Sequence, residues 1–403
     1  MKNWEKKKLG EVCDVRDGTH DSPKYVNEGF ALITSKNLKN DNLNYDNVNY
    51  ITEQDYININ KRSKVDVGDI LFAMIGTIGN PIVIKDEPDF AIKNVALFKV
   101  PKNQDSYFLK YYLDLGLVIE KMTKDAKGAT QKFVGLGYLR NFEVPLPPLQ
   151  EQKQIVSILD SAFSVIAKAK ANAEQNLKNA KELFESYLQG VFENGNWERK
   201  KWGDLCDFVR GPFGGSLKKN IFKEDGYVVY EQKHAIHDHF NQLRYFIDEE
   251  KFNEMKRFEL FPGDIIMSCS GVTLGRVAIV PEGIKRGIIN QALLKLTPKK
   301  NVSVHFIKHC LRSSIFQKII FDFAGGAAIP NVPSAKILKD ILIPFPSLKE
   351  QERIVNEIET VLNETKRLEI IYEQKLNDLE ELKKSLLQKA FNGELKTDKA
   401  IKV

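Results

Sequence analysis

The chain repeats itself once, and this internal duplication constrains its fold more than any other feature. "WEKKKLGEVCDV" at Trp4 returns as "WERKKWGDLCDF" at Trp197, and "LFESYLQGVF" at Leu183 returns as "LKKSLLQKAF" at Leu382. Between them, "VGDILFAMIGTIG" returns as "PGDIIMSCSGVTLG". The spacing between copies grows only from 193 residues at Trp4 to 199 at Leu183. The sequence therefore predicts one unit of roughly 200 residues written twice, not a solenoid of short repeats.

Each copy divides into a globular part and a long helix. The first ~145 residues of each copy alternate short apolar runs with Gly, Pro, Asn and Asp, a pattern typical of strands between turns. Runs such as "DSYFLKYYLDLGLVIEKM" and "SVHFIKHCLRSSIFQKII" instead carry apolar residues at spacings of three and four, which indicates helices. We therefore expect mixed α/β globular domains in duplicate.

The second part of each copy is predicted to be one uninterrupted helix. "PLPPLQEQKQIV" and "PFPSLKEQERIV" open stretches with neither Pro nor Gly, over Leu149–Gln189 and Leu348–Asn392. Proline is tolerated just at a helix start. Gly190 and Gly393 are expected to mark the helix ends.

A heptad seam runs along both helices and requires a partner helix. The seam of the first helix is rich in alanine and that of the second in Leu and Tyr, so the two helices are expected to pair within one chain. Since the first helix leads into the second domain and the second helix leaves it, full pairing makes the coiled coil antiparallel, with a pseudo-two-fold relation between the copies. The residues assigned to this seam or to partner docking are Ile155, Leu159, Ala169, Ala173, Leu183, Ile354, Ile358, Leu368, Tyr372 and Leu379.

The predicted organisation has five parts, with the long antiparallel coiled coil separating the two globular domains. They are a first globular domain at 1–147, a spacer helix at 148–194, a second globular domain at 195–346, a second spacer helix at 347–393 and a C-terminal tail at 394–403.

Charge and cysteine usage narrow the class of protein. Lys and Arg outnumber Asp and Glu by 23 to 16 over residues 195–346, against 21 to 20 over 1–147. An excess of positive charge on a domain is expected where phosphate is bound.

The four scattered cysteines form no C-x-x-C pair, which favours reduced thiols and a cytoplasmic protein. No run of ~18 uncharged apolar residues predicts a membrane span, and the N-terminus does not read as a secretory signal.

Two similar basic domains held apart by a stiff spacer predict an asymmetric, bipartite DNA site. The two half-sites would be separated by a fixed number of base pairs that are not recognised, because paired recognition elements bind half-sites at a set spacing.

The sequence resembles the specificity (S) subunit of type I restriction–modification systems over nearly its whole length. The resemblance rests on the two proline-led helices, the openings at Trp4 and Trp197, and the "VGDILFAMIGTIG" and "PGDIIMSCSGVTLGRVAIV" segments.

The resemblance implies roles for the parts and for partners. Each globular unit would be a target recognition domain, and the helices the conserved regions on which two modification (methyltransferase) subunits dock. Those modification subunits would bring S-adenosylmethionine. Restriction–translocation subunits, where present, would bring ATP and Mg²⁺. The chain itself would bind DNA without being an enzyme and without binding a cofactor or metal.

Two alternatives stay open on the residues alone: a metal-dependent endonuclease and a stand-alone DNA-binding scaffold. No methyltransferase tetrapeptide or phosphate-binding G-x-x-x-x-G-K-[ST] loop is present. Asp225 followed by Glu231-Gln232-Lys233 has nuclease-like spacing, but the first copy lacks the acid there. "KHAIHDH" groups three histidines with no nearby cysteine or fourth ligand, and His305 and His309, one turn apart, are interpreted as a helix surface.

Candidate DNA contacts are the amide, hydroxyl and cationic side chains of Gly-bounded turns and of the loops that match between copies. Such side chains pair with base edges and phosphates, and glycine lets the backbone approach a ligand. Lys61-Arg62 and Lys256-Arg257 are equivalent in the repeat and are expected to bind phosphate. The full set is Lys36, Asn37, Lys61, Arg62, Thr77, Thr130, Gln131, Lys132, Lys218, Lys219, Gln232, Lys233, His234, Lys256, Arg257, Thr273, Arg276 and Asn331.

Overall fold

The computed structural model describes residues 4–39, 41–128, 132–323 and 330–395. The chain forms two compact units, residues 1–174 with 374–403 and residues 175–373. Each unit therefore holds one globular domain together with a part of each long helix.

The elements up to the end of the first long helix follow the predicted alternation of short strands and helices. In chain order they are β1 Glu5–Lys8, α1 Leu9–Val12, β2 Asp14–Asp17, β3 Phe30–Ile33, β4 Leu38–Lys39, β5 Asn42–Leu43, β6 Asn49–Ile51, α2 Glu53–Ser63, β7 Ile70–Ala73, β8 Gly79–Val83, β9 Phe90–Ile92, β10 Val95–Lys99, α3 Ser106–Leu113, α4 Gly116–Asp125, α5 Leu136–Asn141, β11 Glu143–Leu146 and α6 Leu149–Asn194.

The second half of the chain repeats this order. Its elements are β12 Arg199–Lys201, α7 Trp202–Leu205, β13 Cys206–Arg210, β14 Tyr227–Tyr230, α8 Gln232–His237, β15 Phe246–Ile247, α9 Glu249–Glu254, β16 Ile265–Ser268, β17 Val277–Ile279, β18 Gly287–Ile289, β19 Leu293–Pro298, α10 Val304–Arg312, α11 Ser314–Phe323, α12 Ala335–Asp340, β20 Leu342–Pro344 and α13 Leu348–Phe391.

Both domains are built on the same sheets. The first has a four-stranded sheet in the order β2-β10-β7-β8 and a three-stranded sheet β6-β3-β9, and the second has β13-β19-β16-β17 and β15-β14-β18. The four-stranded sheets are antiparallel, whereas β3–β9 and β14–β18 are parallel pairs. The predicted duplication of a mixed α/β domain is confirmed strand by strand.

Strand β10, inside the four-stranded sheet of the first domain, is buried on both faces, which explains its continuous apolar run. In β10, Ala96 and Phe98 face the cluster that contains α3 and α4, whereas Val95 and Leu97 face the cluster that contains β3 and β9. A strand covered on both sides needs apolar residues at successive positions, so no polar alternation is seen.

The long helices begin where the proline motifs predict, and a glycine lies near the end of each. The first helix, α6, continues past Gly190 to Asn194. The second, α13, ends at Phe391, and Gly393 follows with φ of +73°, a left-handed conformation suited to terminating a helix.

In the first unit, the start of α6 packs along the end of α13. Ile155 shares a core with Leu387 and Ala390. Further along, Lys170 pairs with Glu380 at 2.5 Å. As the residue number rises on one helix it falls on the other, so the two segments are antiparallel, as predicted.

The second unit repeats this arrangement with the other two helix segments. Leu188 and Phe192, near the end of α6, share a core with Ile354 and Ile358 at the start of α13. The segments are again antiparallel.

The buried seam of α6 departs from strict heptads after Ala173. Ala173 is buried, but the next inward position is Leu177, and Asn176, at the place that a strict heptad requires, is exposed. Leu183 is then 53 % exposed and Phe184 is half-buried. The seam assignment of Leu183 is therefore wrong, because two successive steps of four, a stutter, shift the seam by one residue.

The second long helix carries the same stutter at the equivalent place. After Tyr372 the half-buried position is Leu376 and not Lys375. Leu382 is consequently 47 % exposed, whereas Lys383 is half-buried. Since a straight helix has 3.6 residues per turn, a strict 3.5-residue seam drifts around it, and a step of four restores the alignment.

A buried glutamine ties the start of α6 to the globular domain of the first unit. The Oε1 atom of Gln152 accepts a hydrogen bond from the backbone N–H of Asp105 at 2.9 Å. Its Nε2 donates to the carbonyl of Pro147 and to Oε1 of Gln104, both at 2.8 Å. Asp105 is the residue that caps α3. One side chain thus joins the proline-marked start of the long helix to the cap of a helix that packs on the sheet.

The second unit makes the same connection. Gln351 is fully buried, accepts from the backbone N–H of Ser303 at 2.9 Å and donates to the carbonyl of Pro346 at 2.9 Å. Ser303 caps α10. The Pro-x-Pro-x-Leu-x-Glu-Gln motif is written twice because each domain needs this attachment.

A second contact between domain and helix has diverged between the copies. The hydroxyl of Tyr111 donates to Asp160 at 2.5 Å in the first unit. In the second unit His309 takes this place, buried, with Nε2 3.9 Å from Glu359. Burial lowers the pKa of His309 to about 4, so the ring is neutral at pH 7. Interpreting His309 as a surface residue is wrong, because α10 packs this face against α13.

Replacing Gln152 by Leu is expected to lower the free energy of unfolding by about 2–4 kcal/mol, because two buried backbone groups lose partners at roughly 1–3 kcal/mol each. Chemical denaturation of the purified chain measures this. Gln154→Leu, on the exposed face of the same turn, is the matched control and should change stability little. Equal losses in both variants would contradict a specific role for Gln152.

Candidate nucleic-acid interface

In each domain several loops emerge from one edge of the sheets. Because β2 and β7 both run antiparallel to β10, the loops after Asp17 and Ala73 leave at the same edge. The loops after Arg210 and Ser268 do so in the second domain, where β13 and β16 flank β19. We call this edge, with the following loops, the loop edge: residues 18–23, 34–37 and 74–78 in the first domain, and 211–217, 231–234 and 269–276 in the second.

The loop after β16 is held in a fixed conformation. Leu274 is fully buried beneath it. The hydroxyl of Ser268 donates to the carbonyl of Thr273 at 2.6 Å and accepts from the backbone N–H of Arg276 at 3.0 Å. Val272 projects from the tip, and the predicted contact Arg276 is exposed beside it.

Three segments meet next to this loop, as expected for a composite surface. Gln232 donates through Nε2 to the carbonyl of Ser270 at 2.7 Å, and the Ser270 hydroxyl donates back to Oε1 at 3.2 Å. Asn331 pairs with Ser270 through the backbone. The neighbouring Lys233 pairs with Glu231 at 3.3 Å. Gln232 and Asn331 therefore lie together at the loop edge.

Two predicted DNA contacts are structural caps. His234 is buried, its Nδ1 lies 2.9 Å from the backbone N of Glu231, and burial is the main cause that lowers its pKa. Asn37 is buried at the equivalent place and accepts from the backbone N–H of Thr34 at 2.9 Å. The prediction that Asn37 and His234 contact DNA is wrong, because both side chains are consumed in shaping the loop. Lys36, next to Asn37, is exposed.

A buried carboxylate organises the loop edge of the first domain. Asp17 accepts from Nε2 of His20 at 2.7 Å and pairs with Arg62. The other ring nitrogen of His20 lies 2.8 Å from Oδ1 of Asn94. Sequence reasoning singled out neither His20 nor Asp17. The available signal was the contrast between copies after the shared Gly18 and Gly211, since the first copy has His20 where the second has Phe213.

Loop 18–23 and helix α2 enclose a cleft of about 290 Å³ beside this cluster. Arg62, from the last turn of α2, lines the cleft, so one of the expected phosphate ligands does lie at the loop edge. Its neighbour Lys61 donates to Asn58 at 3.0 Å and is exposed.

The equivalent Lys-Arg pair of the second domain is placed differently. Lys256 pairs with the buried carboxylate of Glu259 at 3.0 Å, and Arg286 pairs with it at 2.9 Å. Burial opposes ionisation of Glu259, but the two cations outweigh it and hold its pKa below the usual value. Arg257 is exposed and has no side-chain partner among the described residues. The equivalence seen in sequence therefore does not extend to the contacts.

The other predicted contacts are spread over the surface. Thr77 is exposed at the tip of loop 74–78, and Lys132 donates to the carbonyl of Thr123 at 3.4 Å. Lys218 and Lys219 are exposed, and neither side chain has a partner in the part of the chain that the structure describes. Thr130 and Gln131 lie outside the described residues.

The nuclease-like constellation is not assembled. Asp225 precedes strand β14 and Glu231 follows it, so six residues of largely extended chain, roughly 20 Å, separate them. Asp225 pairs with Lys285 at 2.5 Å. Within residues 4–39, 41–128, 132–323 and 330–395, no three His, Cys, Asp or Glu residues are placed to hold a metal ion. Over the same ranges, no helix is long and apolar enough to span a bilayer.

The duplicated domains and their loop edges define a two-domain DNA-recognition protein, and the comparison with known families agrees. The family model described as the type I restriction modification DNA specificity domain matches residues 1–179 and again residues 194–381. The chain therefore belongs to the type I restriction–modification DNA specificity family.

Curated relatives carry corresponding names. The chain is 24 % identical to the type I restriction enzyme MjaVIII specificity subunit of Methanocaldococcus jannaschii, over 84 % of this chain and 81 % of that protein. It is 25 % identical to the EcoBI specificity subunit of Escherichia coli, over 81 % of this chain and 73 % of that protein.

Solved structures share the fold. A chain from a structural study of complex assembly in the type I R-M system aligns with a TM-score of 0.75 at 19 % identity, covering 98 % of this chain and 99 % of that one. The HsdS subunit from Thermoanaerobacter tengcongensis aligns with a TM-score of 0.65 at 19 % identity, covering 98 % of both chains.

Replacing Arg62 by Ala is expected to lower the free energy of unfolding by about 1–2 kcal/mol, because Asp17 is then a buried carboxylate supported by His20 alone. Lys61→Ala, one residue earlier and without a carboxylate partner, should leave stability unchanged. Thermal unfolding compares the two. Restoration of stability in the double variant Arg62→Ala, Asp17→Asn would identify the orphaned charge as the cause, whereas no restoration would contradict it.

Proposed function

We propose that this chain is the specificity subunit of a type I restriction–modification complex and that each globular domain reads one half of an asymmetric, bipartite DNA site. The observation that carries the proposal is the paired loop edge. Two domains of the same fold present equivalent loops, held by equivalent caps, with different side chains at their tips. A protein that must read two different sequences with one architecture needs this combination.

Chemistry in the complex comes from the partners of this chain. Two modification subunits bring S-adenosylmethionine for adenine methylation, and restriction–translocation subunits bring ATP and Mg²⁺ for cleavage. The chain positions them and contributes no catalytic group, and the complex acts on DNA in the cytoplasm. The separation of Asp225 from Glu231 disfavours the endonuclease alternative.

The long helices offer two equivalent docking points, which favours a complex over a stand-alone DNA-binding scaffold. Leu183 and Leu382 occupy the same position in the two copies and are about half exposed. Leu183 borders a shallow surface depression with Tyr187 and Val191. Because each copy presents its own exposed leucine, the two sites suit two copies of one partner, and a modification subunit is the partner that the family supplies.

The reading of half-sites is tested by exchanging residues 195–346 for the corresponding domain of a relative. The variant and the unsubstituted chain are each expressed with the modification subunit in a host without adenine methylation, and single-molecule sequencing maps the methylated sites. One half of the bipartite motif should change while the other half and the gap persist. Exchange of residues 1–147 should change the opposite half. A change in both halves, or no bipartite motif for the unsubstituted chain, would overturn the proposal.

Docking is tested with Leu183→Arg and Leu382→Arg, because a charge at the centre of an apolar contact opposes burial. Native mass spectrometry with the purified modification subunit should show two copies bound to the unsubstituted chain, one to each single variant and none to the double variant. Ile371 is 48 % exposed on α13 without an apolar equivalent in the first copy, so Ile371→Arg is the matched control and should still bind two. Two copies bound to the double variant would place docking elsewhere.

A further inference from the structure

Two apolar side chains at the loop edge of the second domain are almost completely exposed. Phe213 is 92 % exposed and Val272 is 89 % exposed, whereas another surface phenylalanine of this domain, Phe261, is 55 % exposed. Exposed apolar side chains that cluster at one place mark contact surfaces more often than chance exposure does. A phenylalanine that contributes nothing to the core of its domain indicates that its contact is made with a ligand.

The backbone holds both side chains outward. Phe213 follows the buried Pro212, and its carbonyl accepts from the N–H of Ser216 at 2.8 Å. Val272 stands on the loop anchored by Leu274. Because β13 and β16 lie on either side of β19, the two loops leave the sheet roughly 10 Å apart, twice the spacing of neighbouring strands. The pair is therefore presented by one edge of one sheet.

The first domain is polar at the matching positions. Gly18 and Gly211 are equivalent, since the backbone N–H of Gly18 donates to the carbonyl of Val95 at 3.0 Å and that of Gly211 donates to the carbonyl of Leu293 at 2.9 Å. Two residues further on, the first domain carries His20 and the second carries Phe213. The same framework therefore presents hydrogen-bonding groups in one domain and apolar bulk in the other.

Unpaired positive charge surrounds the apolar pair. Arg210 ends β13 and Arg276 immediately precedes β17, both at the loop edge. Neither side chain has an ion-pair or hydrogen-bond partner among the residues described. A ligand that satisfies this surface must be anionic along its backbone and must also offer flat apolar surface. Double-stranded DNA meets both requirements through its phosphates and through the base faces that become accessible when a step is unstacked.

We propose, building on the function proposed above, that Phe213 is a wedge that inserts between two adjacent base pairs of the second half-site, with Val272 packed against the opened step. Apolar side chains inserted in this way unstack the step and kink the duplex. Pyrimidine–purine steps unstack at least cost, so the second half-site should carry such a step at the insertion point. The first domain, with His20 there, reads its half-site without a wedge.

The test uses the complete complex with the modification subunits and a duplex carrying the bipartite motif mapped by methylome sequencing. Phe213→Ser should weaken binding to this duplex by about 5- to 100-fold, the range for losing one aromatic contact with a base. It should also reduce the bend angle measured by energy transfer between dyes at the duplex ends. Phe213→Leu, which keeps apolar bulk, should retain more of both than Phe213→Ser.

The matched control is Phe261→Ser, because Phe261 precedes β16, at the end of that strand opposite the loop edge. It should leave affinity and bend angle unchanged. The melting temperature of both Phe213 variants should equal that of the unsubstituted chain, since Phe213 supports no core. Unchanged binding and bending for Phe213→Ser would overturn the wedge. Loss of modification-subunit binding by Phe213→Ser, with DNA contacts intact, would overturn it in favour of a protein contact. If the proposed function itself is wrong, methylome sequencing of the unsubstituted complex will show no bipartite motif, which is a different outcome from failure of the wedge.

Discussion

The structure of each unit depends on one set of hydrogen bonds, those made by the buried glutamine at the start of each long helix. The buried side chains of Gln152 and Gln351 each satisfy a half-buried helix-cap N–H and a proline carbonyl. A helix of more than 40 residues is rigid, so a small error where it begins would be magnified along its length. A fixed attachment with two defined partners holds the helix start in one orientation relative to the sheets. The loop edge of each domain is thereby fixed relative to the start of the long helix on which we propose that a modification subunit docks.

The loop edges show how one architecture supports two specificities. Asn37 and His234 hold equivalent turns by the same reciprocal contact with the residue three positions earlier, and Gly18 and Gly211 allow the same close backbone approach. These positions maintain the loops and cannot vary freely. At the tips the two domains differ, because His20 bonds to Asp17 and Asn94 in the first domain whereas Phe213 is exposed in the second. The buried polar residues therefore give the loops the same shape in both domains, and the exposed residues give the two loop edges different chemistry.

The sequence predicted the larger features because they repeat or have a strong period. Duplication, long helices and buried strands all followed from patterns that extend over many residues. The failures are local. Strict heptads misplaced Leu183, since the seam carries a stutter that only the packed helices reveal. His234 and Asn37 were mistaken for contacts because a polar side chain in a loop is ambiguous until its partners are known. The Lys-Arg pairs at 61–62 and 256–257 looked alike in sequence, yet Arg62 pairs with Asp17 of β2 whereas Lys256 pairs with Glu259, which follows α9. Long-range partners of this kind have no signature in a single sequence.

The core of the first domain has a consequence for how the protein is made. Phe108 packs against Phe391, with ring centroids 5.1 Å apart, and Leu387 and Ala390 complete the same cluster. A ribosome adding roughly 5–20 residues per second delivers these last residues some tens of seconds after the rest of that domain has emerged. The first domain must wait unfinished, with an apolar face open to chaperones, until Leu387, Ala390 and Phe391 have been made. A premature stop anywhere between the two domains or within the second would therefore disable the first domain as well.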